Sequence, residues 1–505
     1  MAKEANAEHF DVLVAGAGIS GIGAAYHLKD QCPDKSFVVL ERLESFGGTW
    51  LWHKYPGVRS DSDLYTFGYR FKPWTGVPIA TADEILDYMG EVIEENNIGP
   101  HIRYGHEILS AEWSSDDSLW TIRARQLATG EEKVFTANFL WMCQGYYNYT
   151  KPYKPEWPDM DTFKGEIIHP QLWPEDLDLK GKKVVCIGSG ATTATVVPAI
   201  ANDVDHVTVL QRSPTWFIPG RNENELVVEL ERIGMDWDTI HRVARQKILF
   251  DQNDFTRRCL EETETVEQEL LEGVKAFLGE DYPIDKDFTP RYRPWRQRIA
   301  FVPDGDLFQG IASGKADVVT DEIERFTEKG ILTKGGQELE ADVIITATGF
   351  NLSVLGGIPF TVDGEPVDFS KTVTYRGMMF TGVPNMAWVF GYFRASWTLR
   401  VDLMGDFICR LLKHMDARGV DQVRVQLREE DKDMDILPWG DPEDFNPGYL
   451  MRSMHLLPKR GSKYVWQHTQ DYWREKDEIP LVDFNGEEFA YARSKAKEKA
   501  ELSTA

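Results

Sequence analysis

The sequence has few of the features that mark secreted, membrane-spanning or nucleic-acid-binding proteins. Its five cysteines are scattered along 505 residues, without a C-x-x-C pair or the spacing of metal ligands. No run approaches the ~18 consecutive apolar residues that a membrane-spanning helix needs. Acidic residues outnumber basic ones by 82 to 56, which gives a formal net charge of −26. A disulfide scaffold is therefore excluded, no metal site is expected, and nucleic acid is a poor candidate for a partner.

The N-terminus also lacks the basic start and apolar stretch of a signal peptide. Together with the unpaired thiols, this predicts a cytoplasmic protein and leaves peripheral membrane contact open. With 42% hydrophobic and 12% aromatic residues, the chain has enough apolar surface to bury a large core. Its length predicts two or three domains and says nothing about the oligomeric state.

What the sequence does contain is a glycine-rich turn near its start, with Gly16, Gly18 and Gly21 in the pattern G-x-G-x-x-G. An apolar run precedes the turn, a helical pattern follows, and a second apolar run ends in Glu41. This order predicts a βαβ unit that binds a dinucleotide. Gly16 allows the tight turn, Gly18 lets the backbone approach the pyrophosphate, and Gly21 lets helix and strand pack closely. Glu41 is expected to accept hydrogen bonds from the ribose hydroxyl groups.

A second glycine pair follows the first βαβ unit in the segment Gly47-Gly48-Thr49-Trp50. Flavoproteins place a second stretch near the cofactor at this distance from the glycine turn. FAD is therefore the favoured occupant of the first site, with Gly48, Thr49 and Trp50 as contact residues.

The same order of elements returns around Gly188 and Gly190, which predicts a second dinucleotide site. Thr193 stands at the third glycine position, where Ala194 beside it is an alternative for close packing. The following strand ends in Arg212-Ser213, where a site for NADH would carry an acidic residue. A guanidinium group binds a 2′-phosphate through two hydrogen bonds, and Ser213 can add a hydroxyl donor. NADPH is therefore preferred over NADH, with an ordinary surface role for Arg212 as the alternative.

These patterns predict an α/β fold with two Rossmann-like dinucleotide-binding domains, for FAD and for NADPH, and a helical insertion. The FAD domain is assigned to residues 1–155 and 345–505, and the NADP domain to residues 165–221 and 291–340. The charged helical pattern at 222–290 is assigned to the insertion in the NADP domain. The last 20 or so residues are rich in Lys, Glu and Ala and predict a surface helix.

Between the two glycine turns lies the pattern F-x-G-x-x-x-H-x-x-x-W-P, formed by Phe163, Gly165, His169, Trp173 and Pro174. It resembles the fingerprint of the Baeyer–Villiger monooxygenases, a family of class B flavoprotein monooxygenases. Flavin-containing N- and S-monooxygenases share its first half but not the closing Trp-Pro. The resemblance extends over nearly the whole chain and is strongest to the ethionamide-activating subgroup. Further segments carry it: 55–69, 211–214, 302–308, 347–349 and 395–399.

The resemblance implies that NADPH reduces FAD and that dioxygen then forms a flavin C4a-peroxide, which converts a ketone into an ester or lactone. Sulfoxidation of sulfides is implied as a side activity. The family places an arginine over the flavin, and the matching position is Arg298, with Asp61 as the carboxylate that orients it. Arg293 and Arg296 lie close to it in sequence. Gln297 stands where many members have a lysine that reads the 2′-phosphate, which leaves the strictness for NADPH open.

We interpret the fingerprint as an element that couples the domains, with His169 hydrogen-bonded across the hinge and Trp173 packed beside it. Proton transfer by His169 is the alternative. Ser396 and Trp397 lie where the C-terminal segment of the family returns to the flavin. They are expected to shape flavin or substrate contacts, and a plain aromatic core is the alternative.

Other functions are compatible with parts of this pattern. A flavin monooxygenase that acts on amines or sulfides shares both cofactors, as does the long-chain alkane-degrading type. A pyridine-nucleotide disulfide reductase shares the glycine turns but requires paired cysteines, which are absent. A non-catalytic FAD-binding protein does not explain the second nucleotide turn. The expected partners are thus a ketone or sulfide and dioxygen.

Overall fold

The computed structural model describes residues 7–495, which form two sheets with parallel centres, surrounded by helices and smaller sheets. The helices are α1 Ile19–Gln31, α2 Thr49–Trp52, α3 Leu64–Phe67, α4 Ala82–Glu95, α5 Ala191–Ile200, α6 Glu225–Arg232, α7 Trp237–Glu261, α8 Thr263–Leu278, α9 Ile284–Asp287, α10 Asp306–Ala312, α11 Trp397–Arg418, α12 Gly448–Ser453 and α13 Tyr472–Glu478. In this part of the chain, no helix is both long and apolar enough to cross a membrane.

The strands occur partly between these helices and partly in long consecutive runs, such as β3 to β8 and β12 to β21. They are β1 Glu8–Ala15, β2 Phe37–Leu40, β3 Ile102–Arg103, β4 His106–Ser114, β5 Leu119–Gln126, β6 Glu132–Met142, β7 Glu166–Ile168, β8 Lys183–Ile187, β9 His206–Gln211, β10 Phe217–Gly220, β11 Ala300–Pro303, β12 Ala316–Thr320, β13 Ile323–Thr327, β14 Gly330–Thr333, β15 Glu338–Glu340, β16 Val343–Thr346, β17 Phe360–Val362, β18 Glu365–Pro366, β19 Thr374–Tyr375, β20 Met379–Phe380, β21 Met386–Trp388, β22 Gln422–Val425, β23 Ile436–Pro438, β24 Lys459–Gly461 and β25 Phe489–Ala492.

The first sheet has the strand order β18-β17-β4-β5-β6-β1-β2-β3, with β21 beside β6. Strand β1 lies parallel to both β2 and β6, so the carboxyl ends of all three meet at one edge. Val12, Leu13 and Val14 are fully buried because neighbouring strands and helices cover both faces of β1. This double burial is why the strand is a continuous apolar run in the sequence.

The second sheet is entirely parallel, with the order β12-β9-β8-β16-β7. Helix α5 follows β8 and carries the second glycine turn at its N-terminus. Strand β16 is paired with β8 and β7. Residues 345 and 346, which the sequence assigned to the FAD domain, therefore belong to this second sheet. The two turn-bearing sheets give the α/β architecture expected from the sequence.

Residues 222–290 form the helices α6 to α9. We call the elements around the first sheet the first part of the chain and those around the second sheet the second part. Helix α8 packs on β10 and α10 of the second part, and α7 packs on α3 of the first part, so the insertion contacts both parts. The surface helix expected at the C-terminus is wrong for residues 486–495, because β25 pairs antiparallel with β22 there. The rest of that prediction, residues 496–505, lies outside the described residues.

Candidate active site

A cavity of about 570 Å³ opens at the edge where β1, β2 and β6 end. Ligands of open α/β sheets bind at this carboxyl edge. The cavity is lined by many residues that the sequence singled out: Gly16, Gly18, Glu41, Gly48, Thr49, Trp50, Asp61, Arg298 and Trp397. The fold therefore brings the first glycine turn, the second glycine pair and the two residues named as catalytic to one site.

The glycines of the first turn are required by close backbone contacts. Gly16 has a φ of +101°, which side chains rarely tolerate. A Cβ atom on Gly21 would lie 1.8 Å from the carbonyl oxygen of Gly16. Gly48 has a φ of +54°, and its Cβ would lie 3.1 Å from the Cα of Gly18. Backbone thus forms this wall of the cavity, as a pyrophosphate at a helix N-terminus requires.

Glu41 is buried and holds the turn in place. Its Oε2 accepts a hydrogen bond from the backbone N–H of Ala17 at 2.6 Å, and its Oε1 accepts one from Leu43 at 2.8 Å. Burial raises the pKa of the Glu41 carboxyl, against these backbone hydrogen bonds. Each carboxylate oxygen can accept a second hydrogen bond, so Glu41 can hold the turn and still receive a ribose hydroxyl.

The second glycine pair opens helix α2, whose first residues face the cavity. Oγ1 of Thr49 lies 2.9 Å from the phenol oxygen of Tyr149, and Trp50 packs edge-on against Phe67 at 5.7 Å. The cavity has the backbone wall, the acidic ribose acceptor and the aromatic surfaces that FAD needs. Its residues therefore fit this cofactor.

Arg298 and Asp61 face each other at the cavity. Nη2 of Arg298 lies 3.3 Å from Oδ2 and 3.4 Å from Oδ1 of Asp61. The Asp61 carboxylate raises the pKa of Arg298, which stays cationic at all accessible pH values. The Arg298 side chain is enclosed by protein except for the 36% of its surface that is accessible, and this surface faces the cavity. A fixed cation therefore borders the space into which a flavin would extend.

The neighbouring arginines make different contacts. Nη2 of Arg293 donates to Asp444 at 2.9 Å, and Nη2 of Arg296 donates to the exposed Glu443 at 2.9 Å. Neither arginine lines the cavity. Of these three arginines, Arg298 alone is placed to act on a ligand in it.

Three tyrosines that the sequence analysis missed surround Arg298. Tyr146 and Tyr147 line the cavity, and the hydroxyl of Tyr146 donates to that of Tyr147 at 2.8 Å. The ring of Tyr449 lies 6.2 Å from that of Tyr147, and its buried hydroxyl lies near Arg298 and Tyr146 without a hydrogen bond of ordinary geometry within residues 7–495. Tyr146 also stacks on Trp397 at 5.2 Å. For Tyr146 and Tyr147, the aromatic run that follows the end of β6 was the available signal, because ligands bind beyond strand ends.

The second glycine turn is built like the first. Gly188 has a φ of +127°, and its Cβ would lie 2.4 Å from the carbonyl oxygen of Ala347. Gly190 caps α5 and has open space around its missing side chain. The Thr193 side chain is buried and donates to the carbonyl of Gly188 at 3.0 Å. Thr193 thus closes the turn by a hydrogen bond where a glycine would close it by packing.

Arg212 and Ser213 follow β9 and are both exposed. The Arg212 guanidinium makes no hydrogen bond to the described residues. It lies close enough to Glu322 for a weak electrostatic attraction between the two side chains. The carbonyl oxygen of Ser213 accepts from the hydroxyl of Ser189 in the glycine turn at 2.9 Å. This contact holds the Arg212-Ser213 segment against the turn, with the guanidinium free to bind a phosphate.

The middle of the fingerprint forms β7, which pairs with β16 as the edge strand of the second sheet. Phe163 is buried against Phe326, and a Cβ on Gly165 would lie 2.2 Å from the carbonyl oxygen of Asp342. Trp173 packs against the core of the second sheet, and the carbonyl oxygen of Pro174 accepts from Leu177. These residues therefore pack beside the second sheet.

His169 holds its own turn, because its Nδ1 accepts from the backbone N–H of Gln171 at 3.1 Å. Its Nε2 is buried near the Gly349 backbone without a hydrogen bond of ordinary geometry. Burial lowers the pKa of His169 to about 4. Gln171, which the sequence analysis missed, makes the contacts to the first part. Its carbonyl accepts from Trp52 at 3.1 Å, and its amide donates to the Tyr149 carbonyl.

Ser396 does not line the cavity, so the expected contact of Ser396 with flavin or substrate is wrong. It is buried, and its hydroxyl lies 2.7 Å from that of Thr66, where it joins α11 to α3. Trp397 does line the cavity, and its indole N–H donates to Ser20 at the start of α1 at 2.7 Å. The two neighbouring side chains point to different places because Ser396 precedes helix α11 and Trp397 is its first residue.

Comparisons with known proteins identify the family of the chain. A model of the flavin-binding monooxygenase-like family matches residues 78–364, and an NAD(P)-binding Rossmann-like domain model matches residues 14–73. The FAD-containing monooxygenase EthA of Mycolicibacterium smegmatis is 46% identical over 498 residues, covering 98% of this chain and 100% of the relative. The probable FAD-binding monooxygenase AlmA of an Acinetobacter species is 43% identical, covering 94% of this chain and 95% of the relative.

Solved structures confirm the fold. An oxidised steroid monooxygenase bound to NADP has a TM-score of 0.74 at 21% identity, covering 96% of this chain and 100% of its own. A cyclohexanone-bound cyclohexanone monooxygenase has a TM-score of 0.71 at 21% identity, covering 97% and 100%. The expected architecture of two Rossmann-like dinucleotide-binding domains is therefore confirmed, and so is the expected resemblance to flavoprotein monooxygenases.

Proposed function

The chain belongs to the flavin-binding monooxygenase-like family, and we propose that it uses FAD, NADPH and dioxygen to convert ketones into esters or lactones. The observation that carries this proposal is the Arg298–Asp61 pair at the wall of the first cavity. Baeyer–Villiger chemistry needs a fixed cation at this place, because negative charge develops on oxygen during the reaction. Sulfoxidation of soft sulfides is proposed as a side activity of the same site.

Two sets of residues would hold the cofactors. The turn of Gly16 and Gly18 with Glu41 would bind FAD, and the turn of Gly188 and Gly190 with Arg212 would bind NADPH. When bound, FAD accepts two electrons from NADPH and activates dioxygen for transfer of one oxygen atom. The protein contributes binding, orientation and the electric field around the reacting atoms.

Arg298 would supply that field. Its guanidinium cannot lose its proton, so it stabilises an oxyanion without exchanging protons with it. Asp61 fixes the direction of the guanidinium from the side, and the Tyr146 and Tyr147 rings exclude water from the same wall. A low-dielectric wall strengthens the attraction between the cation and the developing negative charge.

The fingerprint would couple the two cofactor sites. Gln171 lies between β7 of the second sheet and the residues that follow β6 of the first, where it bonds to both Tyr149 and Trp52. His169 shapes this turn through its bond to the Gln171 backbone. We expect His169→Ala to impair the coupling of NADPH use to oxygenation more than it impairs FAD binding.

The deciding experiment gives the purified yellow protein NADPH and a linear 2-alkanone, and detects the ester by mass spectrometry. Ester formation supports the proposal. Clean sulfoxide formation without an ester from any ketone would contradict it and would assign the protein to the monooxygenases of soft nucleophiles.

Arg298→Ala tests the residue, with Arg296→Ala on the same segment as the matched control. The first variant should keep reduction of the flavin by NADPH but lose ester formation by about 10²–10³-fold, the usual effect of removing a group that stabilises an oxyanion. The control removes a solvent-facing ion pair and should retain ester formation. Ketone oxidation that survives in Arg298→Ala would remove this arginine from the proposed role.

A further inference from the structure

The segment 55–59 belongs to the first part of the chain but packs on the second. The ring of Tyr55 lies against the core beneath the second sheet. Gly57 has a φ of +74°, and a Cβ atom there would lie 2.8 Å from the Cβ of Ala199 and 3.0 Å from the carbonyl oxygen of Thr195. Both of these residues are on α5, the helix that begins at the second glycine turn. Glycine thus allows the segment to lie directly on that helix.

Arg59 fastens this contact. Its Nη1 lies 2.5 Å from Oδ2 of Asp306, and its Nη2 donates to Oδ1 of the same carboxylate at 3.1 Å. Nη2 also donates to the carbonyl oxygen of Ala194 on α5 at 3.1 Å. Only 17% of the Arg59 side chain is accessible. The planar guanidinium therefore fixes its backbone to two helices of the second part in one geometry.

Two residues further along the chain is Asp61, the partner of Arg298. The intervening Ser60 is buried, and its backbone N–H donates to the carbonyl oxygen of Ala80 at 2.9 Å. Its hydroxyl donates to the carbonyl oxygen of Ser62 at 2.7 Å. The segment from Arg59 to Asp61 is therefore bonded at each residue and transmits a displacement instead of absorbing it.

We propose that Arg59 is a positioning residue that couples the second nucleotide site to the Asp61–Arg298 pair. The coupling rests on the proposed function for the identity of the nucleotide, NADP(H). A nucleotide at the N-terminus of α5 holds that helix in one position, and Arg59 passes that position to Asp61. Chains of packed and hydrogen-bonded groups carry coupling of this kind between two sites, and the contacts of Arg59 supply such a chain.

Loss of this coupling has a defined chemical result. When Asp61 no longer orients Arg298, electrons from NADPH still reach dioxygen, but without oxygen transfer to a substrate. The balanced side reaction is NADPH + H⁺ + O₂ → NADP⁺ + H₂O₂. The share of NADPH that ends as hydrogen peroxide therefore measures the coupling, and it is separate from the rate of flavin reduction.

The test compares Arg59→Ala with Arg232→Ala, which removes an exposed arginine from its ion pair with Glu229 on the helical insertion. Two quantities are measured on the FAD-loaded proteins. The first is the dissociation constant of NADP⁺, from the perturbation of the flavin absorption spectrum, and the second is the hydrogen peroxide formed per NADPH in the presence of a 2-alkanone or sulfide that the unaltered protein oxygenates. Arg59→Ala should weaken NADP⁺ binding about tenfold and raise the peroxide share several-fold, within the usual range of coupling between sites. Arg59→Lys, which keeps the charge but not the planar fork, should fall between.

Unchanged NADP⁺ affinity together with an unchanged peroxide share in a folded Arg59→Ala protein would overturn the proposal. If this variant does not retain FAD, Asp306→Asn replaces it and is judged by the same two readouts. The dissociation constant of NADP⁺ requires no substrate, and the peroxide share can be measured with a sulfide in place of a ketone. A failure of the proposed ketone chemistry would appear as absence of ester from the unaltered protein, whereas a failure of the coupling would leave both readouts unchanged.

Discussion

Nη2 of Arg245, on helix α7 of the helical insertion, lies 3.8 Å from Oδ2 of Asp402, on helix α11 of the first part. Nη1 of the same guanidinium donates to the carbonyl oxygens of Tyr65 and Gly68 at 3.0 and 2.9 Å. Asp402 is itself buried and bonded to His27 at 3.0 Å. A buried cation on the insertion thus donates to the buried carbonyls at the end of α3 and lies beside a buried carboxylate.

Replacing Arg245 by Met should strongly destabilise the protein. The substitution keeps much of the side-chain volume but removes the Arg245 cation from beside Asp402 and leaves the carbonyls without this donor. Breaking a buried pair from one side costs about 3–5 kcal/mol. The unfolding midpoint in urea measures the effect. Arg242→Met, three positions earlier on the exposed side of α7, is the control and should change the midpoint little. Equal destabilisation by both would show that the buried contacts of Arg245 contribute nothing.

A methyl group at Gly21 should abolish FAD binding. The added Cβ would lie 1.8 Å from the carbonyl oxygen of Gly16, a distance that backbone atoms cannot relieve without opening the turn. Gly310→Ala is the control, because its nearest neighbour would be 3.9 Å away and alanine favours a helix over glycine by about 1 kcal/mol. The flavin absorbance per mole of purified protein gives the result. A Gly21→Ala protein with full flavin content would contradict the packing role of this glycine.

The elements around the glycine turns were predictable because their signals are local. Gly21 and the apolar run before it lie within ten residues of each other, and their spacing alone specifies a strand, a turn and a helix. The C-terminal strand was not predictable in this way. Its residues 489–492 pair with residues 422–425, and this distant pairing decides the structure where composition favoured a helix.

The site was predictable for residues with a motif and not for residues that act at a distance. Arg298 was found by its motif, and the fold places it at the cavity. Tyr449 and Gln171 reach the site only because distant segments fold together, so no spacing in the sequence announces them. The structural role of Ser396 has a similar cause. Ser396 immediately precedes helix α11 and contacts α3, whereas the next residue, Trp397, lines the cavity.

The protein should lose stability as the pH falls from about 6.5 towards 4. Burial lowers the pKa of His53, His169 and His241 to about 4, so these rings stay neutral in the folded state. In the unfolded chain they take up protons below their ordinary pKa of about 6.5. Their stabilising contribution is therefore complete above that value and decreases by about 1.4 kcal/mol per pH unit for each ring as the pH falls. Urea unfolding at pH 7.5 and pH 5 measures the slope.

His241 isolates one of these contributions, because its ring lies outside the proposed cofactor sites. Its Nδ1 accepts a long hydrogen bond of 3.4 Å from the backbone N–H of Trp74. Glutamine keeps a hydrogen-bond acceptor but cannot take up a proton. Between pH 6.5 and 4, His241→Gln should therefore reduce the change in the free energy of unfolding per pH unit by the contribution of about one bound proton. An identical slope in the variant and the unaltered protein would contradict burial of a neutral ring at this position.

Arg212→Ala should change the choice of nicotinamide cofactor rather than the chemistry. The Arg212 guanidinium is exposed beside the second turn and has no hydrogen-bond partner among residues 7–495, so it is free to bind the 2′-phosphate that distinguishes NADPH from NADH. A charge-assisted hydrogen bond is worth about 1.5–3 kcal/mol, which corresponds to a rise of about 10–100-fold in KM for NADPH. KM for NADH and kcat with either cofactor should stay nearly constant. Steady-state NADPH and NADH oxidation measures all four constants, and an equal loss of affinity for both cofactors would show that Arg212 supports the turn without reading the phosphate.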